Sequence, residues 1–291
     1  YMQYYLAKDG FTDIPIKVDE KDMFKSKDDE EKREEGLVKK ITHDRTIKIR
    51  HLSFKYGGTA SALVLDNLNF EIPEGKVTAI VGASGSGKTT LVKLLLKFYL
   101  PTVGEIVVGD VKLENTSTNF WRRNCGSVMQ DGFLFGDTIV RNITESDSEG
   151  FVDQQRLLDA VNVANIEEFI ESLPLGYSTK IGSSGINISG GQKQRILIAR
   201  AVYKNPSYIF FDEATSALDA NNEKIIMGNL QKFYHGKTVL IIAHRLSTVK
   251  NADQIIVLDK GKVIERGNHE ELSKRKGMYY SLVKNQLELG N

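Results

Sequence analysis

Hydrophobic residues recur along the chain in two rhythms, one typical of strands and one typical of helices. Strict alternation over residues 47–56 and 63–72 predicts two strands that each bury one face. Three later runs, at 77–81, 208–211 and 239–243, are short and continuously apolar. Runs of this kind are typical of strands that are buried on both faces in a parallel sheet.

Helical periodicity fills most of the intervals between these runs. Helices are predicted at 89–98, 154–164, 167–173, 192–204, 222–233 and 269–287, and residues 255–265 predict two strands around the turn 259–261. Strands that alternate with helices indicate an α/β fold: a mostly parallel sheet with helices on both faces, plus an antiparallel β subdomain. The helix-rich residues from about 130 to 200 predict an α-helical subdomain inserted into the sheet domain.

The opening of the chain differs in composition from the rest, and we expect a charged linker over residues 1–45. Residues 1–40 hold 9 Lys and Arg and 11 Asp and Glu, so little apolar surface is left to bury. A binding element is the alternative. The chain begins with Tyr1 and not Met, and residues 1–6 (YMQYYL) suit the interfacial end of a removed transmembrane helix. The folded domain is then expected at 46–291.

Bulk composition excludes several classes of protein. The formal net charge is +1, too balanced for nucleic-acid binding by overall charge, so a polyanion would need a local site. The single Cys125 excludes an internal disulfide framework and suits a reducing compartment. Because apolar runs stay well below the roughly 18 residues of a spanning helix, we expect this chain to be soluble.

A phosphate-binding motif follows the apolar run 77–81. Residues 82–89 (GASGSGKT) match the P-loop pattern G-x-x-x-x-G-K-[ST], whose glycines let successive N–H groups point at phosphate oxygens at a helix start. The lysine reaches the β- and γ-phosphates and the threonine ligates Mg²⁺ in this motif; a Gly/Ser-rich turn is the alternative. The predicted nucleotide-binding residues are Gly82, Ser84, Gly85, Ser86, Gly87, Lys88, Thr89 and Thr90.

Two adjacent acids close the apolar run 208–211. Asp212 is predicted to orient the shell of the Mg²⁺ ion, and Glu213 to polarise the water that attacks the γ-phosphate. A solvated turn is the alternative reading of such a pair. The preceding buried strand and the P-loop favour catalysis.

A second anion site is predicted at the start of the helix near residue 192. Ser189 supplies a hydroxyl, and Gly190 and Gly191 supply unshielded N–H groups at a helix N-terminus. A simple helix cap is the alternative. One molecule therefore contains two helix ends suited to phosphate.

These motifs together resemble the nucleotide-binding domain of ATP-binding-cassette (ABC) transporters, from about residue 46 to the end. The resemblance implies a P-loop ATPase core whose stretch 189–192 (SGGQ) closes over ATP held by the P-loop of a second copy, in a head-to-tail dimer. Ser189, Gly190, Gly191 and Gln192 would then bind ATP in trans and replace an arginine finger.

Four more residues match the family pattern. By resemblance, Tyr56 stacks on adenine, Gln130 senses Mg²⁺ and the attacking water, Asp219 crosses the dimer, and His244 contacts the γ-phosphate. The alternatives are a strand-edge tyrosine, a surface glutamine, a helix cap and a structural histidine.

The stretches 98–102, 121–126, 135–143 and 283–288 resemble exporter cassettes, most closely those of peptide or bacteriocin exporters. Two positions depart from the family pattern. Ile188 stands where leucine is usual, with the same apolar role. Residues 182–185 read GSSG where exporters commonly have a Gly-Glu-x-Gly stretch that touches the membrane domain, so that contact is in doubt.

The function expected from the residues and the resemblance is an Mg²⁺-dependent ATPase motor of a homodimeric exporter. It would act on the cytoplasmic side of the membrane with a transmembrane domain fused N-terminally, and no nucleic-acid partner is expected. Two alternatives are open. One is a soluble ABC ATPase in nucleic-acid repair or ribosome-associated work, and the other is a P-loop kinase, which leaves the 189–192 stretch unexplained.

Overall fold

A computed structural model describes residues 37–38, 41, 44–57, 61–147, 152–215, 217–243 and 246–289. The chain divides into two compact units, 1–37 and 38–291, and almost all described residues belong to the second. The predictions for 1–36, a charged linker and a membrane-helix end, lie outside the described residues. None of the helices in the described ranges combines the length and the apolar character that a membrane crossing requires.

The described residues form ten strands in two sheets, with strand orders β2-β1-β4-β5 and β10-β9-β3-β8-β7-β6. The strands are β1 (Ile47–Phe54), β2 (Leu65–Ile72), β3 (Val77–Val81), β4 (Val103–Val108), β5 (Val111–Lys112), β6 (Cys125–Val128), β7 (Tyr208–Asp212), β8 (Thr238–Ile242), β9 (Gln254–Asp259) and β10 (Lys262–Gly267).

The helices within the same residues are α1 (Lys88–Leu95), α2 (Thr118–Arg123), α3 (Ile139–Ile143), α4 (Gln154–Val163), α5 (Glu167–Glu171), α6 (Gly190–Lys204), α7 (Ala220–Phe233), α8 (Leu246–Val249), α9 (His269–Arg275) and α10 (Met278–Leu289). Short 3-10 turns lie at Leu113–Asn115, Gly176–Ser178 and Gly182–Ser184. The α/β prediction is confirmed.

The six-stranded sheet is parallel except at one edge. Strand β3 pairs in parallel with β8 and β9, and β7 pairs in parallel with β8 and β6, whereas β10 runs antiparallel to β9. Every residue of β7 and β8 is buried, as their continuous apolar runs predict. The four-stranded sheet is antiparallel throughout, as predicted for the β subdomain.

Two apolar clusters cover the two faces of the parallel sheet. Alternate residues of one strand enter different clusters: Ile209 and Phe211 pack with α4, α6 and α7, while Phe210 packs with α1 and the antiparallel sheet. The sheet is thus fixed from both sides. Because its strands are parallel, the carboxyl ends of β3, β6, β7 and β8 meet at one edge, where ligands bind in such folds.

Helices dominate the chain between β6 and β7. The described residues of this interval form α3 to α6 and two 3-10 turns, with strand pairing limited to isolated bridges such as that between Thr138 and Lys180. The local structure agrees with the helix-rich prediction. The bounds of a separate subdomain at about 130–200 stay a prediction.

The prediction of one helix over 269–287 is wrong, because the chain breaks into α9 and α10. Lys276 has a left-handed φ of 54°, and the carboxylate of Glu265 accepts the N–H groups of Met278 and Tyr279 at 2.7 and 3.0 Å. A Cβ at Gly277 would lie 1.9 Å from Glu265 Oε1. A contact from β10 therefore starts a new helix inside an uninterrupted helical pattern.

Candidate functional site

The P-loop motif lies where the sequence predicts it, between the end of β3 and the start of α1. A Cβ at Gly82 would lie 2.1 Å from the backbone oxygen of Leu258 in β9, and one at Gly87 would lie 2.5 Å from Leu65 Cδ2. Gly87 also has a φ of 100°. Neighbouring strands therefore leave room only for glycine at both ends of the loop.

Helix α1 begins in a manner that suits an anion. Its N-cap is Gly87, which has no side chain to accept the N–H groups of the first turn, where Lys88, Thr89 and Thr90 lie. The helix dipole adds positive potential at the same point. Ser84 and Gly85, at the turn of the loop, are exposed, whereas Ser86 is buried. The loop thus presents backbone donors to solvent at a rigid helix start.

Lys88 is folded into the loop. Its Nζ donates to the backbone oxygens of Gly82 and Ala83, both at 2.9 Å, and the residue is 6% exposed. Burial lowers the pKa of Lys88, and the charges of Glu213 and Asp212 act against that lowering. The lysine of the P-loop and the two acids after β7 therefore share one electrostatic neighbourhood.

The two acids differ in their surroundings. Asp212 is the last residue of β7 and is buried at 1% exposure, whereas Glu213 is partly exposed at the edge of the sheet. Glu213 has a φ of 54°, an uncommon value for a residue with a side chain, and its N–H donates to Ile242 O at 3.3 Å. The chain turns sharply at the residue predicted to be the base.

Tyr56 is brought to the first turn of α1. Its Oη lies 3.1 Å from Thr90 Oγ1, and its ring makes edge contacts with Phe54 and Tyr99 at centroid distances of 4.9 and 5.2 Å. The side chain is 37% exposed, so part of the ring remains open beside the P-loop helix. This position suits an aromatic that stacks on a base.

Gln130 follows β6 by two residues and is exposed. Val128 of β6 is paired with Phe211 of β7, so Gln130 and Glu213 each lie two residues beyond the last pair at the carboxyl edge. His244, by contrast, lies outside the described residues. The structure describes the chain after β8 as far as Ala243, one residue before it.

The second predicted anion site is a capped helix start. Ser189 Oγ accepts the N–H of Gln192 at 3.1 Å, and the Gln192 side chain accepts the N–H of Ser189 at 2.8 Å, forming a capping box on α6. Gly190 and Gly191 form the first turn, and a Cβ on Gly191 would lie 3.1 Å from Ala217 O. The helix-cap alternative is thus realised. It leaves the hydroxyl hydrogen of Ser189 for another acceptor.

Asp219 is also a helix cap. Its carboxylate accepts the N–H of Asn222 at 3.0 Å and the Asn222 side-chain amide at 2.7 Å at the start of α7. These hydrogen bonds hold the pKa of Asp219 below its usual range. The residue is exposed, so a contact across a dimer stays compatible with the cap.

Sequence reasoning missed Gln194. This residue of α6 is 7% exposed; its Nε2 donates to Glu213 O, and its Oε1 accepts the N–H of Ala217, both at 2.9 Å. One signal was available: Gln194 lies four residues before Ile198, on the buried face of the helix, where a polar side chain needs a hydrogen-bond partner. Its partners, 19 and 23 positions along the chain, were not readable from the sequence.

Comparisons with known proteins agree on one family. A family model described as ABC transporter matches residues 65–216. The toxin RTX-III translocation ATP-binding protein of Actinobacillus pleuropneumoniae is 46% identical over 243 residues, which cover 83% of this chain and 34% of that protein. The leukotoxin translocation ATP-binding protein LktB of Mannheimia haemolytica is 46% identical over 243 residues, covering 84% of this chain and 34% of its own.

A solved structure shares the fold. A bacterial Atm1-family ABC exporter with ATP bound matches with a TM-score of 0.82 and 36% identity, over 86% of this chain and 44% of that one. The chain spans about one third of the length of the curated relatives it matches. The family match implies that this domain binds ATP.

Proposed function

This chain belongs to the ABC transporter family, and on that premise we propose that it is the ATP-hydrolysing motor domain of an ABC exporter. One observation carries the proposal. The P-loop follows β3 and the acids Asp212 and Glu213 stand where β7 ends, and these two strands run parallel on either side of β8, so both groups lie at one edge of the sheet. A phosphate cradle and two acids at one edge are the parts that phosphoryl transfer to water requires.

The proposed nucleotide site uses the backbone donors of the P-loop together with Tyr56. Gly82, Ser84, Gly85, Ser86, Gly87, Lys88, Thr89 and Thr90 surround the phosphates. Tyr56 stacks on the adenine, and such stacking is worth about 1–3 kcal/mol for a base. The amino group of Lys88 donates to two carbonyl oxygens of its own loop. When ATP binds, it would donate to phosphate oxygens instead.

The residues proposed to hold Mg²⁺ all offer oxygen, which this ion prefers. They are Thr89, Gln130 and Asp212. Among the described residues, three or more His, Cys, Asp or Glu do not gather into a metal site, which fits an ion held by one or two carboxylates and the nucleotide phosphates. When bound, the ion neutralises charge that develops on those phosphates.

The catalytic roles fall to Glu213, Gln130 and His244. Glu213 accepts a proton from the water that attacks the γ-phosphate, and Gln130, two residues after β6, orients that water. His244, which follows β8 by two residues in the sequence, would contact the γ-phosphate. Each group would act at the carboxyl edge of the sheet.

The partner proposed for each site is a second copy of the chain. In a head-to-tail dimer, Ser189, Gly190, Gly191 and Gln192 of one copy would close over ATP on the P-loop of the other, near Asp219. The hydroxyl hydrogen of Ser189 and the N–H groups of the two glycines are the donors that the capping box leaves for phosphate. Closure and release would drive a transmembrane domain, proposed to be fused N-terminally through the linker at 1–45.

The cargo proposed is a peptide or a protein, because two relatives are named for the translocation of toxins. The domain, at 46–291, would work at the cytoplasmic side of the membrane. A soluble ABC ATPase in nucleic-acid repair or ribosome-associated work is not favoured, since the exporter match spans 86% of this chain. The P-loop kinase alternative is set aside by the family match.

The variant Glu213→Gln tests this function. It removes the proton acceptor and keeps the shape, so we expect turnover of ATP to fall by about 100-fold or more while ATP binding is kept. Phosphate release measures the turnover, and equilibrium binding of a fluorescent ATP analogue measures the affinity for nucleotide. Glu71→Gln, an exposed acid on β2, is the control. Near-normal hydrolysis by Glu213→Gln contradicts the role of Glu213.

A further inference from the structure

The side chain of Gln194 ties helix α6 to both ends of the segment 213–217. Its amide group is nearly fully buried, donates to the backbone oxygen of Glu213 and accepts the backbone N–H of Ala217, with both distances at 2.9 Å. One side chain therefore fixes the direction in which the chain leaves β7.

The backbone of Glu213 depends on this tie. Its φ of 54° is a left-handed conformation that is unfavourable for a residue with a side chain. Such a conformation persists only where the surroundings hold it. The N–H of Glu213 is held by Ile242 O of β8, and its C=O is held by Gln194 of α6. The two backbone bonds come from different elements, and together they aim the side chain.

We propose that Gln194 is a positioning residue that sets the orientation of the Glu213 carboxylate. The proposal rests on the proposed function, in which Glu213 is the general base. It also gives helix α6 two roles, since the same rigid helix carries Ser189 at its start and Gln194 in its second turn. The helix end that would cover ATP on a second copy is thereby joined to Glu213, the proposed general base, of its own copy.

Two substitutions separate positioning from packing. Gln194→Met keeps the length of the side chain and removes both hydrogen bonds. Gln194→Glu keeps an acceptor for the N–H of Ala217 and replaces the donor to Glu213 O by a carboxylate oxygen that repels it. We expect both to lower kcat by about 10- to 100-fold, because a misplaced catalytic group costs that much, with KM for ATP changed less than twofold.

A matched control lies on β9. The amide of Gln254, a partly buried residue far from the site, also donates once and accepts once: its Nε2 donates to Glu71 O and its Oε1 accepts from the Arg266 side-chain Nε, both at 2.9 Å. Gln254→Met therefore removes the same number of amide hydrogen bonds by the same change of side chain. We expect it to leave kcat unchanged, and melting temperatures of all variants show which loss comes from unfolding.

A double-mutant cycle with Glu213→Gln shows whether the loss of kcat in Gln194→Met arises through Glu213. If Gln194 acts through Glu213, Gln194→Met changes the residual rate of the Glu213→Gln chain by less than twofold. An equal fold loss in both backgrounds, or a normal kcat in Gln194→Met, overturns the proposal. If Gln194→Met does not fold, Gln194→Glu is used in the same cycle. A Glu213→Gln chain with near-normal turnover is a different result, since it contradicts the proposed function itself.

Discussion

The two helix ends that the sequence marks for phosphate are built in opposite ways. Helix α1 starts at Gly87, with a φ of 100° and no side chain to cap it. Helix α6 starts at Ser189, with ordinary extended backbone and a complete capping box to Gln192. One end leaves its first-turn donors to a ligand, whereas the other satisfies part of them from its own chain.

The difference lies in what imposes each shape. The glycines of the P-loop are required by contacts from distant strands, since Leu258 O faces Gly82 and Leu65 faces Gly87. The start of α6 is specified by four neighbouring residues. The P-loop is therefore a product of the whole fold. The α6 end is a local cap, and its remaining donors are the ones proposed to serve a ligand brought by a partner.

The largest effect is expected from alanine at the first P-loop glycine. In Gly82→Ala the new Cβ would lie 2.1 Å from Leu258 O, so β9 or the loop must move, at a cost of about 3 kcal/mol or more. ATP binding should be lost together with stability. Gly85→Ala meets no atom within 4 Å and has a φ of 77°, so about 1–2 kcal/mol is expected. Denaturant unfolding measures both, and equal losses would contradict the distinction.

An intermediate effect is expected at the cap of α6. Ser189→Ala removes the cap and should cost about 1 kcal/mol of stability. Ser189→Asp keeps a cap of equal quality but places a negative charge at the proposed phosphate contact. We expect normal stability and a large loss of turnover in Ser189→Asp, measured by thermal melts and phosphate release. Normal turnover in this variant would show that Ser189 is a cap and nothing more.

The smallest effect is expected at the glycines of α6. A Cβ on Gly190 would lie 3.6 Å from the Cβ of Ala217, an ordinary contact, so Gly190→Ala should leave stability unchanged or raise it by up to about 1 kcal/mol. In Gly191→Ala the new Cβ would lie 3.1 Å from Ala217 O, and a small loss is expected. Denaturant unfolding curves give the free energy of unfolding of both variants. A loss in Gly190→Ala as large as that in Gly82→Ala would contradict the difference between the two helix ends.

Sequence reasoning succeeded where a run of consecutive residues carries the signal, whatever contacts enforce the shape. The apolar run of β3 and the glycines after it placed the P-loop, and the order of residues 189–192 placed the start of α6. It failed where one element acts on another. The break at Gly277 comes from Glu265 on β10, and the clamp on Glu213 comes from Gln194 on α6.

Three strands were missed for a different reason, and one of them, β5, is only two residues long. Strand β4 contains Gly104, and β6 is only four residues long, CGSV, with two residues that are not apolar. Neither gives a period-two signal long enough to recognise. Their places come from pairing, β4 with β1 and β6 with β7, which only the folded sheets reveal.

The central claim is that each ATP site needs two copies of the chain, one lending Lys88 and the other lending Ser189. Mixing Lys88→Ala with Ser189→Arg tests it most directly, since each variant alone would spoil both sites of a homodimer. In a mixed dimer both lesions fall in one site and spare the other, so the mixture should recover about a quarter of normal ATP hydrolysis by random pairing. A verified mixed dimer that hydrolyses no ATP, or a fully active Ser189→Arg chain on its own, would contradict the account.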